Sequence, residues 1–162
     1  MPRLVTMALV GGLLTPAFAN AFPCDGSEYQ VYDRLDGAGN RKALCISYVK
    51  LQQARRWLPE TGEPPVSAAR VIDIALTFSR RHTFADAIAS GAVQNLRLHS
   101  IQLTPAKCKD ESDEECYFYL VEIWQYEDGQ PVLGGGEDLA ILMDRTIIQG
   151  VHVGGNELRR RR

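Results

Sequence analysis

The segment 117–126, Tyr-Phe-Tyr-Leu-Val-Glu-Ile-Trp-Gln-Tyr, limits what this chain can fold into more than any other stretch. In an extended strand successive side chains point to opposite faces. Tyr117, Tyr119, Val121 and Ile123 therefore share one side, and Phe118, Leu120, Trp124 and Tyr126 share the other. A strand apolar on both sides belongs at the centre of a sheet. A second stretch rich in β-branched residues, 139–153, is divided by the turn Met143-Asp144-Arg145-Thr146 into two short strands, 139–143 and 146–153. The two stretches together predict an antiparallel meander. The element to cover it is the helix predicted over 67–81, where Ala68, Ala69, Val71, Ile72, Ile74, Ala75, Leu76 and Phe78 take more than half the helical wheel. Ser67 suits its N-cap, and Asp73 lies one turn from Arg70 and Thr77 on the wet face. The fold class implied is α+β, an antiparallel β-meander packed on one main α-helix.

Around this centre the sequence predicts an N-terminal β-hairpin and two short helices. The hairpin strands are 28–35, with Tyr29, Val31 and Leu35 as the apolar set, and 41–47, joined by Asp36-Gly37-Ala38-Gly39-Asn40. Leu51, Ala54 and Leu58 give 48–58 a helical period that Pro59 stops. Thr83-Phe84-Ala85-Asp86 has the form of a capping box, opening a helix over 83–90 that Gly91 ends. In the strand 95–104 the apolar phase changes between Leu98 and Ile101, which requires a β-bulge near His99 and Ser100 before Pro105 closes the run. Gly134-Gly135-Gly136 reads as a loose return between strands.

Export is predicted from the first residues. Met1-Pro2-Arg3, an apolar run over 4–14 and Ala17-Phe18-Ala19 follow the order of a secretory signal peptide cleaved after Ala19. The apolar run is well short of the roughly 20 residues that span a bilayer, so no transmembrane span is expected after cleavage. The remainder reads as a single domain over 20–156 followed by a basic, disordered tail over 157–162, in a periplasmic or secreted protein. In an oxidising compartment Cys24, Cys45, Cys108 and Cys116 predict two disulfides. Three pairings are arithmetically possible. The short loop between two strands favours Cys108 with Cys116, leaving Cys24 with Cys45, and closing that loop is worth about 2–3 kcal/mol.

Charge and motifs exclude several functions. With 18 basic and 20 acidic side chains, four of the basic ones being Arg159, Arg160, Arg161 and Arg162, the body of the chain is acidic and nucleic acid is not the expected partner. No G-x-S-x-G, H-E-x-x-H or phosphate loop occurs, and Gly134 to Gly136 lack the lysine a phosphate loop needs. The cysteines have no zinc-type spacing, and the acidic loop 109–115 has no glycine to make its carboxylates converge, so neither metal nor cofactor is expected. Trp124 and Tyr126, with His99 at the bulge, form the candidate binding surface. The function expected is non-catalytic, with a protein or peptide docking at the sheet face or edge. Two alternatives stand beside it: a hydrolase using His99 with Ser100, oriented by Asp73 or Asp144, and an envelope protein whose Arg159 to Arg162 touch an anionic surface.

Three segments carry a family resemblance. They are the helix Val66-Ser67-Ala68-Ala69-Arg70-Val71-Ile72-Asp73-Ile74-Ala75, the strand Tyr117-Phe118-Tyr119-Leu120-Val121-Glu122-Ile123 and the closing hairpin Ala140-Ile141-Leu142-Met143-Asp144-Arg145-Thr146-Ile147-Ile148. Over about half the chain they resemble PepSY-type and cystatin-like small exported domains, with Arg145 in place of the usual glycine of the last turn. The resemblance implies a helix against an antiparallel sheet and a role in binding or restraining other exported proteins. It brings no catalytic residue.

Overall fold

A computed structural model describes residues 24–35, 39–109 and 114–152. The expected signal peptide and arginine tail lie outside them. In chain order the elements are β1 (Glu28–Leu35), β2 (Arg41–Ser47), α1 (Tyr48–Gln53), a 3-10 turn (Pro59–Thr61), α2 (Ala68–Arg81), α3 (Ala85–Ala89), β3 (Asn95–Lys107), β4 (Glu115–Glu127), β5 (Gln130–Leu142), β6 (Ile147–Gln149) and β7 (Val151–His152). The fold is α+β, as the sequence predicts. One antiparallel sheet has the order β3-β4-β5-β6 and a second the order β1-β2-β7.

Strand β4 is covered on both faces. On one, Tyr119, Val121 and Ile123 pack with Leu139 and Ile141 of β5 against Val71 and Ala75 of α2. On the other, Phe118 packs with Ala140 and Leu142 against Leu44 and Ile46 of β2 and Leu51 of α1. Each fully buried large side chain contributes about 1.5–3 kcal/mol by leaving water. Helix α2 forms because Ser67 accepts the Arg70 N–H at 3.4 Å, Arg80 and Arg81 sit in its last turn, and Val71, Ala75 and Ser79, spaced by four, are buried. Small residues along that line let the helix lie close to the sheet.

Both disulfides join the pairs expected, Cys24 with Cys45 and Cys108 with Cys116. The first ties the chain ahead of β1 to β2, and the second clamps the end of β3 to the start of β4. The β4–β5 hairpin turns on Asp128 and Gly129, with φ of 49° and 81°. Two left-handed residues give the turn whose twist matches the flanking strands.

Several boundaries differ from the sequence reading. Helix α1 ends at Gln53 rather than at Leu58, because Ala54 turns extended (ψ 148°) and Pro59 disfavours a helical Leu58. Trp57 there packs edge-on against Tyr117 and donates to the Gly62 carbonyl at 3.0 Å. Thr83 is not a cap: its hydroxyl bonds Glu137, and Phe84 precedes α3 without a side-chain bond. Pro105 does not end β3, which pairs on to Lys107. The bulge falls where expected, between Leu98 and Ser100. A second bulge, between Gln30 and Tyr32, reverses the phase of β1. Tyr32 and Arg34 consequently reach the larger sheet, and Leu35 is left 68% exposed. The three glycines 134–136 make no loose return; they lie within β5, where pairing jumps from Trp124 with Gly136 to Tyr126 with Pro131.

The segment after the last turn also departs from a single strand. It pairs first with β5 and then, beyond Gly150, with β2, so the chain bends from one sheet into the other. The Gly150 N–H donates to the Asp138 carbonyl at 3.0 Å, and a Cβ at this position would stand 2.5 Å from the Tyr32 hydroxyl. Gly150→Ala is therefore expected to lower stability by about 1–3 kcal/mol, the usual cost of overpacking. In a Tyr32→Phe background denaturant titration should return a smaller loss, because the obstructing oxygen is gone; equal losses would mean that another contact imposes the glycine.

Candidate functional site

Strand lengths decide where the second face of the larger sheet is covered. β4 and β5 each run 13 residues, whereas β1 has 8 and β2 has 7. At about 3.3 Å per residue the hairpin reaches little more than half-way along them. On this face of β4 Phe118 is buried, whereas Trp124 and Tyr126, further along the strand, are only partly buried. A recess of about 320 Å³ opens at this boundary, with Arg34, Leu35, Lys42, Glu122, Trp124, Leu133 and Asp138 among its walls.

Four charges fix the covered side of the recess. Lys42 Nζ lies 2.8 Å from Asp138 Oδ2 and donates to the Gly136 carbonyl at 3.2 Å, both side chains being buried. Tyr32 Oη donates to Asp138 Oδ2 at 2.7 Å. Arg34 Nη2 donates to Asp138 Oδ1 at 2.9 Å and Glu122 Oε1 at 3.1 Å, and its guanidinium lies over the Tyr32 ring at 4.7 Å. Ser100 Oγ donates to Glu122 Oε2 at 3.0 Å. Two cations thus face two carboxylates, and β1, β2, β4 and β5 are held in one register by a nearly neutral network.

The other side is aromatic. His99 stacks on Trp124 with ring centroids 4.3 Å apart, its Nε2 4.0 Å from Glu122 Oε2. The indole also lies against Gly136, where an added Cβ would come within 3.1 Å of its Nε1. Arg97 sits over the Tyr126 ring at 5.3 Å, a cation–π contact. His99, Trp124 and Tyr126, selected from the sequence as a candidate surface, therefore lie side by side on one sheet face.

The hydrolase constellation considered from the sequence is not assembled. Ser100 gives its proton to Glu122, Asp73 pairs with Arg70 at 2.7 Å, and Asp144 accepts from the Thr146 N–H at 2.9 Å in its own turn. None of these groups orients His99 as a base toward Ser100. Cys24, Cys45 and Glu28 converge, but both sulfurs are joined in the disulfide and offer no thiolate to a metal. Arg159 to Arg162 and most of the acidic loop lie outside the described residues.

Sequence reasoning missed the charged network. Its only trace was a pair of adjacent acids, Glu137 and Asp138, placed just before an apolar strand. Alternation sends them to opposite faces. Glu137, also buried, accepts from Ser79, from Thr83 and from Gln149 Nε2 at 2.8 Å, tying the end of α2 to β5 and β6.

Comparison with known protein families, curated proteins and solved structures gave no match for this chain. Among the described residues no helix is long and apolar enough to cross a membrane.

The network sets a pH response. Burial alone would raise the Asp138 pKa, but hydrogen bonds from Lys42 and Tyr32 and the charges of Lys42 and Arg34 outweigh it and hold the carboxyl below its usual range. A depressed carboxyl contributes stability above about pH 4 that is lost as pH falls through its folded value. Burial, reinforced by Asp138, raises the Tyr32 phenol, so its contribution is complete below about pH 10 and is lost as pH climbs above that. Urea midpoints measured across pH should accordingly show a shallower acid limb for Asp138→Asn and a shallower alkaline limb for Tyr32→Phe. Parallel profiles for wild type and both variants would show that the network does not govern either limb.

Proposed function

We propose that this chain is a small exported, disulfide-bonded domain that acts by non-catalytic binding, docking a protein or peptide on the part of its sheet that the N-terminal hairpin leaves bare. The observation that carries this reading is the composition of the recess and its rim. Trp124 forms one wall, and Leu35 and Leu133, the two most exposed large apolar side chains of the described residues at 68% and 82%, stand at the same opening. Exposed apolar side chains gathered beside an aromatic wall are the usual make-up of a docking patch. Arg34 and Glu122 alongside them are already oriented by neighbours, so little side-chain freedom would be lost on binding.

Export is supported by the two disulfides, which persist in oxidising compartments, and by the leader-like order of charge, apolar run and Ala-x-Ala at residues 1–19. The resemblance of the 66–75 helix and the 117–123 strand to PepSY-type and cystatin-like domains favours the same class of role, since it implies binding to or restraint of other exported proteins.

A photo-crosslinking residue placed at Leu133 should give a discrete adduct in the exported fraction of the source cells. Trp124→Ala should weaken that adduct by about thirtyfold in apparent affinity, the effect of removing an aromatic anchor worth about 2 kcal/mol, while leaving the melting temperature close to that of the wild type. If the Leu133 probe gives no more adduct than the same probe at Ile88, on the opposite layer, this face is not a docking surface.

A further inference from the structure

Hydrogen bonds on the far side of the larger sheet fix the direction of each backbone group of β3 from Ser100 onward. On the far side of the sheet, Leu142 N–H donates to the Thr146 carbonyl and Gly150 N–H to the Asp138 carbonyl. Even-numbered residues of β5 therefore turn toward β6, and Leu139 and Ile141 turn toward β4. Their partners Val121 and Tyr119 face β5, which leaves Leu120 and Phe118 to bond β3 through Gln102 and Thr104. Ile101 and Leu103 must then present both N–H and C=O away from the sheet. Pro105 agrees: it stands opposite Tyr117 in register and has no N–H to give, so it fits only an outward-facing position. From beyond the edge, Tyr29 Oη donates to the Pro105 carbonyl at 3.5 Å.

No strand pairs with this edge among the described residues. The open stretch is short and bounded. The bulge between Leu98 and Ser100 interrupts it at one end, and Pro105, with its carbonyl already contacted by Tyr29, closes it at the other. Between them lie four outward backbone groups, those of Ile101 and Leu103. The strand carries Arg97, His99 and Lys107 and no carboxylate.

Charge selects the occupant. An antiparallel second copy would lay its own Arg97, His99 and Lys107 along the same carboxylate-free strand, and like charge disfavours it. A segment that carries acids is favoured for the same reason. We propose that β3 takes up an extended acidic peptide segment as an added strand, with four backbone hydrogen bonds to Ile101 and Leu103 and with its carboxylates beside Arg97 and Lys107. This rests on the docking reading above, since His99 of β3 stacks on Trp124 and so sets this edge beside that face.

The probe is a synthetic peptide with a Thr-Val-Thr-Val-Thr centre flanked on each side by two aspartates, and the comparison is the same centre flanked by lysines. With the intact chain, amide exchange followed by NMR should be fast at Ile101 and Leu103 and slow at Gln102 and Thr104. The aspartate peptide should slow exchange at Ile101 and Leu103 and bind at least about tenfold more tightly than the lysine peptide. Ile101→Pro, which removes an outward N–H, should weaken binding about tenfold relative to Ile101→Ala, which keeps it. Equal binding of the two peptides, no protection by either, or protection that appears with protein concentration alone would overturn the proposal, the last by showing that a second copy occupies the edge. Protection at Ile101 and Leu103 that persists when the Leu133 adduct is absent would retain the edge and reject the sheet-face reading, and the reverse pattern would reject the edge alone.

Discussion

Water tolerates one wet face of a sheet but not two greasy ones, and β4 has apolar side chains on both. Val121 and Ile123 on one side and Phe118 on the other are fully buried, so the strand needs a cover above and a cover below. Helix α2 supplies one, and the β1–β2 hairpin with α1 supplies the other. The disulfides act where this second cover needs anchoring. Cys24 with Cys45 fastens the hairpin's leading end to β2, and Cys108, itself buried in the second core, joins the two long strands at their covered end. A layer of two short strands held at that end leaves the other end of the sheet open.

The boundary between covered and open sheet is where the charges collect. Asp138 is buried with Lys42 and accepts from Tyr32 and Arg34 as well, which satisfies a carboxylate that would be costly there alone. Buried ion pairs of this kind contribute little net stability, because desolvation consumes most of the attraction, yet they penalise strongly any arrangement that separates the partners. Here the partners come from both sheets. A hairpin seated one residue out of place would strand Asp138 without donors, so the network fixes how the two sheets meet and, with that, the position of the recess. Glu137 performs the equivalent service on the opposite face, holding the end of α2 through hydroxyls and an amide.

The bend at Gly150 joins the two sheets. It sends the last strand from the larger sheet to the smaller, so that β6 ends one sheet and β7 the other, with β3 and β1 at their opposite ends. Tyr32, which the bend brings against Gly150, is the same residue that bonds Asp138, so the corner, the ion network and the recess are coupled through one side chain.

Short-range patterns determined a good part of this protein. Alternation over 117–126 marked the central strand, the spacing of apolar residues marked α2 and its Ser67 cap, and the phase change between Leu98 and Ile101 marked the bulge. The cysteine spacing led to both disulfides. Each of these depends on neighbours within one strand, turn or loop, which is why they can be read from the chain alone. Tertiary contact decided the rest. Thr83 is used by Glu137 rather than by its own helix, Gly135 and Gly136 of β5 must be glycine because the side chain of Gln125 and the indole of Trp124 crowd a Cβ there, and Lys42 and Arg34 find Asp138 some hundred positions away. A hydrogen bond or ion pair between distant residues leaves no period in the sequence, since it depends on where two layers meet in space, and the bare half of the sheet exists only because one layer is shorter than the other.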